Sequence, residues 1–166
     1  MRKLRNPFAG HPGYNCFGCS PHNSAGLKME FRESGDEIIS FWEPDEHFQG
    51  FSDILHGGIQ ATMMDEIASW VVFVKLGTAG VTRRLNTIYR KPVRLSAGGI
   101  TLRAKLVGTK RNLATIGVTL YDGAKKACSE GVVEYFLLSA ERALKEMYYP
   151  GKEAFTTDER DDENEW

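Results

Sequence analysis

The sequence predicts an α+β protein in which a curved antiparallel sheet wraps around one long central helix. The segment from Leu55 to Val74 has no glycine or proline after Gly58 and is apolar on almost every side, which is typical of an enclosed helix. Short strand-like segments precede it, and four longer ones follow. Because such a helix needs cover on all sides, we expect the sheet to curl around it and a partner to cover the remainder.

Composition fits one soluble globular domain. The chain has 166 residues, of which 42% are hydrophobic and 26% are charged, and its formal net charge is -1. This balance argues against a general nucleic-acid or membrane-surface binder. The basic N-terminus lacks the apolar run of a signal peptide, so we expect a cytoplasmic protein. The three cysteines suggest no even disulfide framework.

Residues 1–26 are predicted to form an irregular arm, because glycine, proline and asparagine recur in them. The arm carries Cys16, Cys19 and His22, which are zinc-ligand types at close spacing. A structural zinc needs four ligands, however, and no second pair follows at finger-like spacing. We therefore predict no metal site and no bound cofactor.

The folded domain is predicted to span residues 27–149. Two short strands, Leu27 to Arg32 and Glu37 to Trp42, flank a turn and lead through a polar loop to the helix. After the helix, the predicted strands are Val81 to Leu95, Ile100 to Val107, Leu113 to Tyr121 and Lys126 to Ser139.

The end of the chain is predicted to differ from the domain. Ala140 to Tyr149 is compatible with a short helix, whereas the last residues are dominated by aspartate, glutamate and arginine. With little to bury, residues 150–166 are predicted to be a disordered acidic tail.

Two carboxylates, Asp65 and Glu66, fall in the middle of the most apolar helix. An ionised carboxylate there is costly unless a partner pairs with it or a reaction uses it, so Asp65 is the first functional candidate. The helix begins at His56, Gly57 and Gly58, and the glycine amides at a helix N-terminus can meet developing negative charge.

The spacing between His56 and Asp65 indicates a dimer. Nine residues correspond to about 13 Å along a helix and leave the two side chains half a turn out of phase. If both residues serve one site, they must come from two subunits, and a two-fold dimer then has two equivalent sites.

Basic residues are concentrated after the helix. No aspartate or glutamate occurs from Ile67 through Tyr121, and that stretch holds Arg83, Arg84, Arg90, Lys91, Arg94, Arg103, Lys105, Lys110 and Arg111. A solvated sheet face explains Arg103 and Lys105 well, whereas a phosphate-binding surface is the functional alternative.

Three segments together match a known family: Leu55-His56-Gly57-Gly58 followed by Ala61 to Glu66, the strand Leu85 to Val93, and the segment Cys16 to Leu27. The sequence thereby resembles the hotdog-fold acyl-CoA thioesterases of the phenylacetic-acid thioesterase-like group in the thioesterase superfamily. The resemblance implies a hotdog fold for residues 27–149, homodimers that pair their sheets edge to edge, and often homotetramers.

The resemblance also implies hydrolysis of an acyl-CoA thioester to free acid and coenzyme A, with Asp65 of one protomer facing the His-Gly-Gly segment of the other. We predict that Asp65 is the general base or the nucleophile and that a Gly57 or Gly58 amide polarises the carbonyl. His56 is expected to orient the thioester, and the resemblance gives Thr82 a hydroxyl that helps to hold the water.

The predicted substrate-binding residues are Gln49, Tyr89, Arg90, Lys91, Pro92, Lys110 and Arg111. The basic members are candidates for the phosphates of coenzyme A, and the aromatic ring and the proline shape the groove. Gln49 stands near the position where some family members have an amide that assists the nucleophile. The acyl pocket is expected along the helix, past Met63, Met64 and Ile67.

Two other functions stay open. The same fold occurs in acyl-thioester dehydratases and hydratases, and Glu46-His47-Phe48 resembles their His-Phe segment, but they pair that histidine with a carboxylate earlier on the helix than Asp65. The second alternative is a non-catalytic acyl-CoA-binding protein, since a fold does not fix a function.

Overall fold

The computed structural model describes residues 1–156. Within them the strands are β1 (Arg2–Lys3), β2 (Glu30–Ser34), β3 (Glu37–Trp42), β4 (Gln49–Phe51), β5 (Ile54–Leu55), β6 (Gly80–Tyr89), β7 (Ile100–Lys110), β8 (Leu113–Tyr121) and β9 (Ala127–Leu137). The helices are α1 (Gly57–Val71), which continues as a π-helical segment over Val72–Leu76, and α2 (Ala140–Met147). No helix of this part of the chain is long and apolar enough to span a membrane.

Seven strands form one antiparallel sheet in the order β1-β2-β3-β7-β8-β9-β6. The strands β4 and β5 form a separate pair just before α1. Helix α1 contacts β3, β6, β7, β8 and β9, so the large sheet wraps around one long helix. The predicted α+β architecture is confirmed.

The inner side of α1 is packed as core. Met63, Met64 and Ile67 are fully buried. The sheet comes closest at Gly131 of β9, where an added Cβ would lie only 2.7 Å from the sulfur of Met64. The prediction that these three residues line an acyl pocket was therefore wrong, because the sheet already fills the space beside them.

The ends of two predicted strands differ because loop contacts replace the ladder. The first strand starts at Glu30 rather than Leu27, since the amides of Leu27 and Met29 donate to carbonyls of the arm at 2.8 and 2.9 Å. Strand β6 ends at Tyr89, well before Leu95, because the chain turns away from the sheet before Pro92.

The two ends of the described part of the chain are paired with each other. Leu4 forms a β-bridge with Thr156, and the amide of Arg5 donates to the carbonyl of Phe155 at 3.0 Å. Phe155 is fully buried against the rings of Phe8, Trp70, Phe73 and Tyr149. Residues 150–156, which the sequence assigned to the acidic tail, are thus packed on the domain, while 157–166 lie outside the described residues.

Replacing Phe155 with alanine is expected to lower the free energy of unfolding by about 3–5 kcal/mol, because the change empties a closed aromatic cluster. Urea unfolding followed by circular dichroism measures this loss. Phe51→Ala is the matched control, since Phe51 is 80% exposed and its removal should change stability by about 0.5 kcal/mol or less. Equal effects of the two variants would show that the C-terminal segment contributes nothing to the core.

Candidate active site

Asp65 is held by two hydroxyl groups from the sheet. Thr82 on β6 donates to Asp65 Oδ1 at 2.7 Å, and Tyr135 on β9 donates to the same oxygen at 2.9 Å. A β-bulge follows Thr82 on β6, and bulges of this kind re-aim neighbouring side chains. Asp65 is half-buried, and its second oxygen has no donor among residues 1–156, so it keeps the capacity to accept a hydrogen bond from water or substrate.

Tyr135 is a member of this site that sequence reasoning missed. Its hydroxyl also donates to the backbone carbonyl of Asp65 at 2.9 Å, so it fixes both the side chain and the helix turn. Burial raises the pKa of Tyr135 far above its usual range, and the charge of Asp65 raises it further, so the phenol remains a donor. The one available signal was a phenol in a buried strand, which needs a polar partner.

The start of α1 presents one free amide. His56 is the N-cap residue, and its Nδ1 accepts a hydrogen bond from the Gly58 amide at 2.9 Å. The Gly57 amide, in contrast, has no acceptor in the described part of the chain, as expected for the first turn of a helix. Of the two predicted carbonyl-polarising amides, only Gly57 is therefore available. Neutral His56 carries its proton on Nε2, because Nδ1 is the acceptor.

Two neighbours fix this helix start. The hydroxyl of Tyr89 donates to the Gly57 carbonyl at 2.7 Å. Buried Gln60, which sequence reasoning also missed, donates to the Leu55 carbonyl at 3.2 Å and accepts from the hydroxyl of Ser129 at 2.9 Å. These bonds tie α1 to β6 and β9, so the Gly57 amide keeps a fixed direction.

A cleft of about 460 Å³ opens beside this helix start. It brings together six of the predicted residues with the loop before α1, and its lining consists of Gly50, Phe51, Ile54, Leu55, His56, Gly57, Gln60, Tyr89, Arg90, Lys91 and Pro92. Arg90 already pairs with Glu130 on β9 at 2.8 Å. Lys91 has no acidic partner among residues 1–156, which makes it the stronger candidate for an anionic group.

Three predicted substrate-binding residues lie elsewhere in the protomer. Lys110 ends β7 and Arg111 lies in the turn that leads to β8. The register that starts at Lys110 runs across β8 and β9 to Val81 on β6. Tyr89, beside the cleft, lies at the other end of that strand. Gln49 is not part of the cleft lining either, because its side-chain oxygen accepts from the Asp53 amide at 3.2 Å.

Most of the concentrated basic residues are paired with carboxylates from outside their stretch. Arg83 and Arg84 contact Glu134, and Arg94 contacts Asp53. Arg103 pairs with Glu37 on the neighbouring strand. These exposed pairs support the solvated sheet face rather than one continuous phosphate-binding surface.

The two halves of the predicted site lie apart within one protomer. Asp65 contacts Thr82 near the start of β6, whereas Gly57 contacts Tyr89 at its end. Gly57 and Asp65 are eight positions apart on α1, which is about 12 Å along the helix. One chain alone therefore cannot bring the Gly57 amide and the Asp65 carboxylate to the same atom.

A second cavity of about 440 Å³ lies beside Glu66 and Ser69 of α1. Its walls are mainly apolar and come from the arm, α1, the start of β6 and the end of α2: Phe8, His11, Pro12, Gly13, Tyr14, Cys16, Cys19, Glu66, Ser69, Phe73, Ala79, Gly80, Met147 and Tyr148. Gly80 stands two residues before Thr82, so the cavity adjoins the Asp65 site.

Comparisons with known proteins agree with this architecture. Residues 53–129 match the family model of the thioesterase superfamily, and no curated protein matches the chain. A thioesterase from Haemophilus influenzae shares 22% identity, with a TM-score of 0.66 over 74% of this chain and 86% of its own.

Two further solved structures were determined with ligands. A Streptococcus mutans protein bound to acetyl-CoA is 19% identical, with a TM-score of 0.61 over 68% of this chain and 90% of its own. A Bacillus halodurans protein with CoA is 22% identical, with a TM-score of 0.61 over 68% of this chain and 76% of its own. The chain is therefore a hotdog-fold protein whose residues 53–129 match the thioesterase superfamily.

Proposed function

We propose that the protein is an acyl-CoA thioesterase whose two active sites lie between the protomers of a homodimer. The observation that carries the proposal is the state of Asp65: two hydroxyl groups orient it, and its second oxygen is free to act on water or substrate. The thioesterase-superfamily match and the neighbours solved with CoA or acetyl-CoA support an acyl-CoA substrate.

The open edge of strand β6 supports the proposed dimer. Strand β6 pairs only with β9 and leaves its other edge without a partner among the described residues. Val81 and Ile88 on this strand are 44% and 56% exposed, so a long, partly apolar edge is available for pairing. Two antiparallel copies of β6, centred near Leu85 and Asn86, bring Thr82 of one protomer beside Tyr89 of the other.

In such a dimer the two halves of the site meet. The thioester carbonyl oxygen accepts from the Gly57 amide of one protomer while negative charge develops on it. Asp65 of the other protomer takes a proton from the attacking water, or attacks the carbonyl carbon itself and forms an anhydride that water then cleaves. The carbon–sulfur bond breaks, and coenzyme A leaves as a thiolate that takes up a proton.

The remaining residues position the substrate. His56, which lines the cleft, supplies its Nε2–H as a second donor, and Lys91 meets a phosphate group of coenzyme A. Lys110 and Arg111 act from the second protomer, because β6 pairing brings the Val81 end of one sheet to the Tyr89 end of the other. The acyl group enters the apolar cavity beside Glu66, Phe73 and Gly80.

Filling this cavity should change acyl specificity. In a Met147→Trp variant, kcat/KM for long-chain acyl-CoA is expected to fall about tenfold or more, while acetyl-CoA turnover stays the same, because the larger ring occupies the acyl space. Leu144→Trp is the matched control, since Leu144 lies on the same helix but is 62% exposed and not part of the wall. Equal loss on both substrates would contradict this pocket.

The proposed function is tested by thiol release from short, long and aromatic acyl-CoAs. Turnover of any class by the purified protein, with the free acid as product, supports the proposal. Formation of 3-hydroxyacyl or enoyl product without thiol release would favour the dehydratase or hydratase alternative. The structure does not favour that alternative, because the His47 imidazole is 81% exposed and pairs with Asp45 at 2.6 Å. CoA binding without any turnover would indicate a binding protein.

A further inference from the structure

A cluster of two thiols and a carboxylate lies where the N-terminal arm contacts α1. Cys16 and Cys19 come from the arm and Glu66 from α1, and one ligand atom of each lies within 4.8 Å of the other two. The Cys16 sulfur is 3.4 Å from Glu66 Oε2. A tetrahedral zinc with bonds of about 2.3 Å to sulfur and about 2.1 Å to oxygen places those two ligand atoms about 3.5 Å apart.

We propose that Cys16, Cys19 and Glu66 bind a zinc ion or a similar divalent transition metal. Thiolate sulfur and carboxylate oxygen are a mixed set that suits zinc, whereas calcium and magnesium prefer oxygen alone. Three protein ligands leave a fourth position open, as in zinc sites that hold a water molecule. The cavity beside Cys16, Cys19 and Glu66 provides access to that position.

The surroundings of the ligands match those of a metal site. The Asn6 amide donates to the Cys19 sulfur at 3.5 Å, and the Tyr14 hydroxyl lies 2.9 Å from the same sulfur. Polar groups directed at a sulfur suit a thiolate better than a thiol. Trp70 Nε1 donates to Glu66 Oε1 at 3.3 Å and so turns the other carboxylate oxygen towards Cys16. Such outer hydrogen bonds orient ligands in known metal sites.

The loop between the two cysteines is shaped around Glu66. An added Cβ at Gly18 would lie 2.3 Å from Glu66 Oε2, so a larger residue there would displace the carboxylate from its place beside Cys16. The cysteines alone were not enough to predict a metal site, because the third ligand comes from a helix far along the chain. His22, the ligand considered from the sequence, is not part of the cluster.

The three ligands border the cavity proposed for the acyl group, but metal binding is measured without any thioesterase activity, so the two proposals can fail separately. The full chain, without a histidine tag, is reduced, freed of metal and titrated with Co²⁺ and with Zn²⁺. We expect one equivalent of Co²⁺ to bind and to give thiolate-to-cobalt charge-transfer absorption together with tetrahedral d–d bands. Cys16→Ser and Cys19→Ser should lose this spectrum, and Glu66→Gln should weaken Zn²⁺ binding by at least about 100-fold. Cys128→Ser, which alters the remote third cysteine, should bind as the unmodified protein does.

A second measurement needs no variant. Zn²⁺ should protect Cys16 and Cys19, but not Cys128, from alkylation, as located by peptide mass mapping. Absence of binding by reduced protein with both thiols titratable would overturn the proposal. Binding that survives the Cys16 and Cys19 substitutions would also overturn it, because the metal would then lie elsewhere.

Discussion

Replacing Asp65 with asparagine is expected to lower kcat for acyl-CoA hydrolysis by about 10²- to 10⁴-fold, because the amide can neither take a proton from water nor attack the thioester. The variant should fold normally. Thr82 and Tyr135 donate to one side-chain oxygen of Asp65, and asparagine keeps such an oxygen in the same place. Thiol release under saturating substrate measures the loss, and KM should change little because the change acts mainly in the transition state.

Two further variants make this result specific. Asp36→Asn alters a carboxylate in the turn between β2 and β3, remote from the site, and should leave turnover unchanged. Thr82→Val should give an intermediate loss of about tenfold, since Tyr135 still orients Asp65 after the threonine hydroxyl is gone. Full turnover by Asp65→Asn would remove Asp65 from the chemistry and leave the proposed mechanism without a base.

The architecture was readable from the sequence because two strong periodicities point to the same fold. A helix apolar all round requires a sheet that encloses it, and the later strands carry clear alternation and turn signals. Element ends were less predictable. The hydrophobic pattern predicts that a strand starts at Leu27, yet the Leu27 amide donates to a carbonyl of the arm. Such a contact between separate segments cannot be predicted from the local sequence.

The residues of the candidate site also differ in how far the sequence predicts them. Asp65 stood out because a carboxylate inside an apolar helix is unusual, and Gly57 because glycines start the helix. Tyr135 is 70 residues away from Asp65 and looks like an ordinary buried strand residue, so only the fold reveals its hydrogen bond. The Gly57 amide is available and the Gly58 amide is not, because the His56 ring accepts from Gly58. The orientation of that ring is a side-chain conformation, which the sequence pattern does not predict.

The location of the acyl pocket was mispredicted for a different reason. The interpretation that Met63, Met64 and Ile67 line it used apolar character alone, which core residues and pocket residues share. The deciding quantity is the space left by packing, and Gly131 brings β9 against Met64. The cavity instead lies where the arm and the end of α2 leave room beside α1.

Mixing two inactive variants is expected to restore activity if the site is shared between protomers. Asp65→Asn lacks the carboxylate, and Gly57→Val places a branched side chain where the thioester carbonyl approaches, beside the Tyr89 ring that already lies 3.4 Å from an added Cβ. In a two-fold heterodimer of the two variants, one site carries both defects and the other carries neither.

Unfolding and refolding an equimolar mixture makes half of the dimers heterodimers, each with one intact site, so about a quarter of the unmodified activity should return. Each variant refolded alone should stay near its own low rate, which controls for recovery unrelated to mixing. No recovery in a mixture shown by native mass spectrometry to contain heterodimers would mean that Gly57 and Asp65 do not form one site across the interface. Recovery near a quarter would identify the edge of β6 as the place where the two halves of the active site join, since Asp65 and Gly57 contact opposite ends of that strand in each protomer.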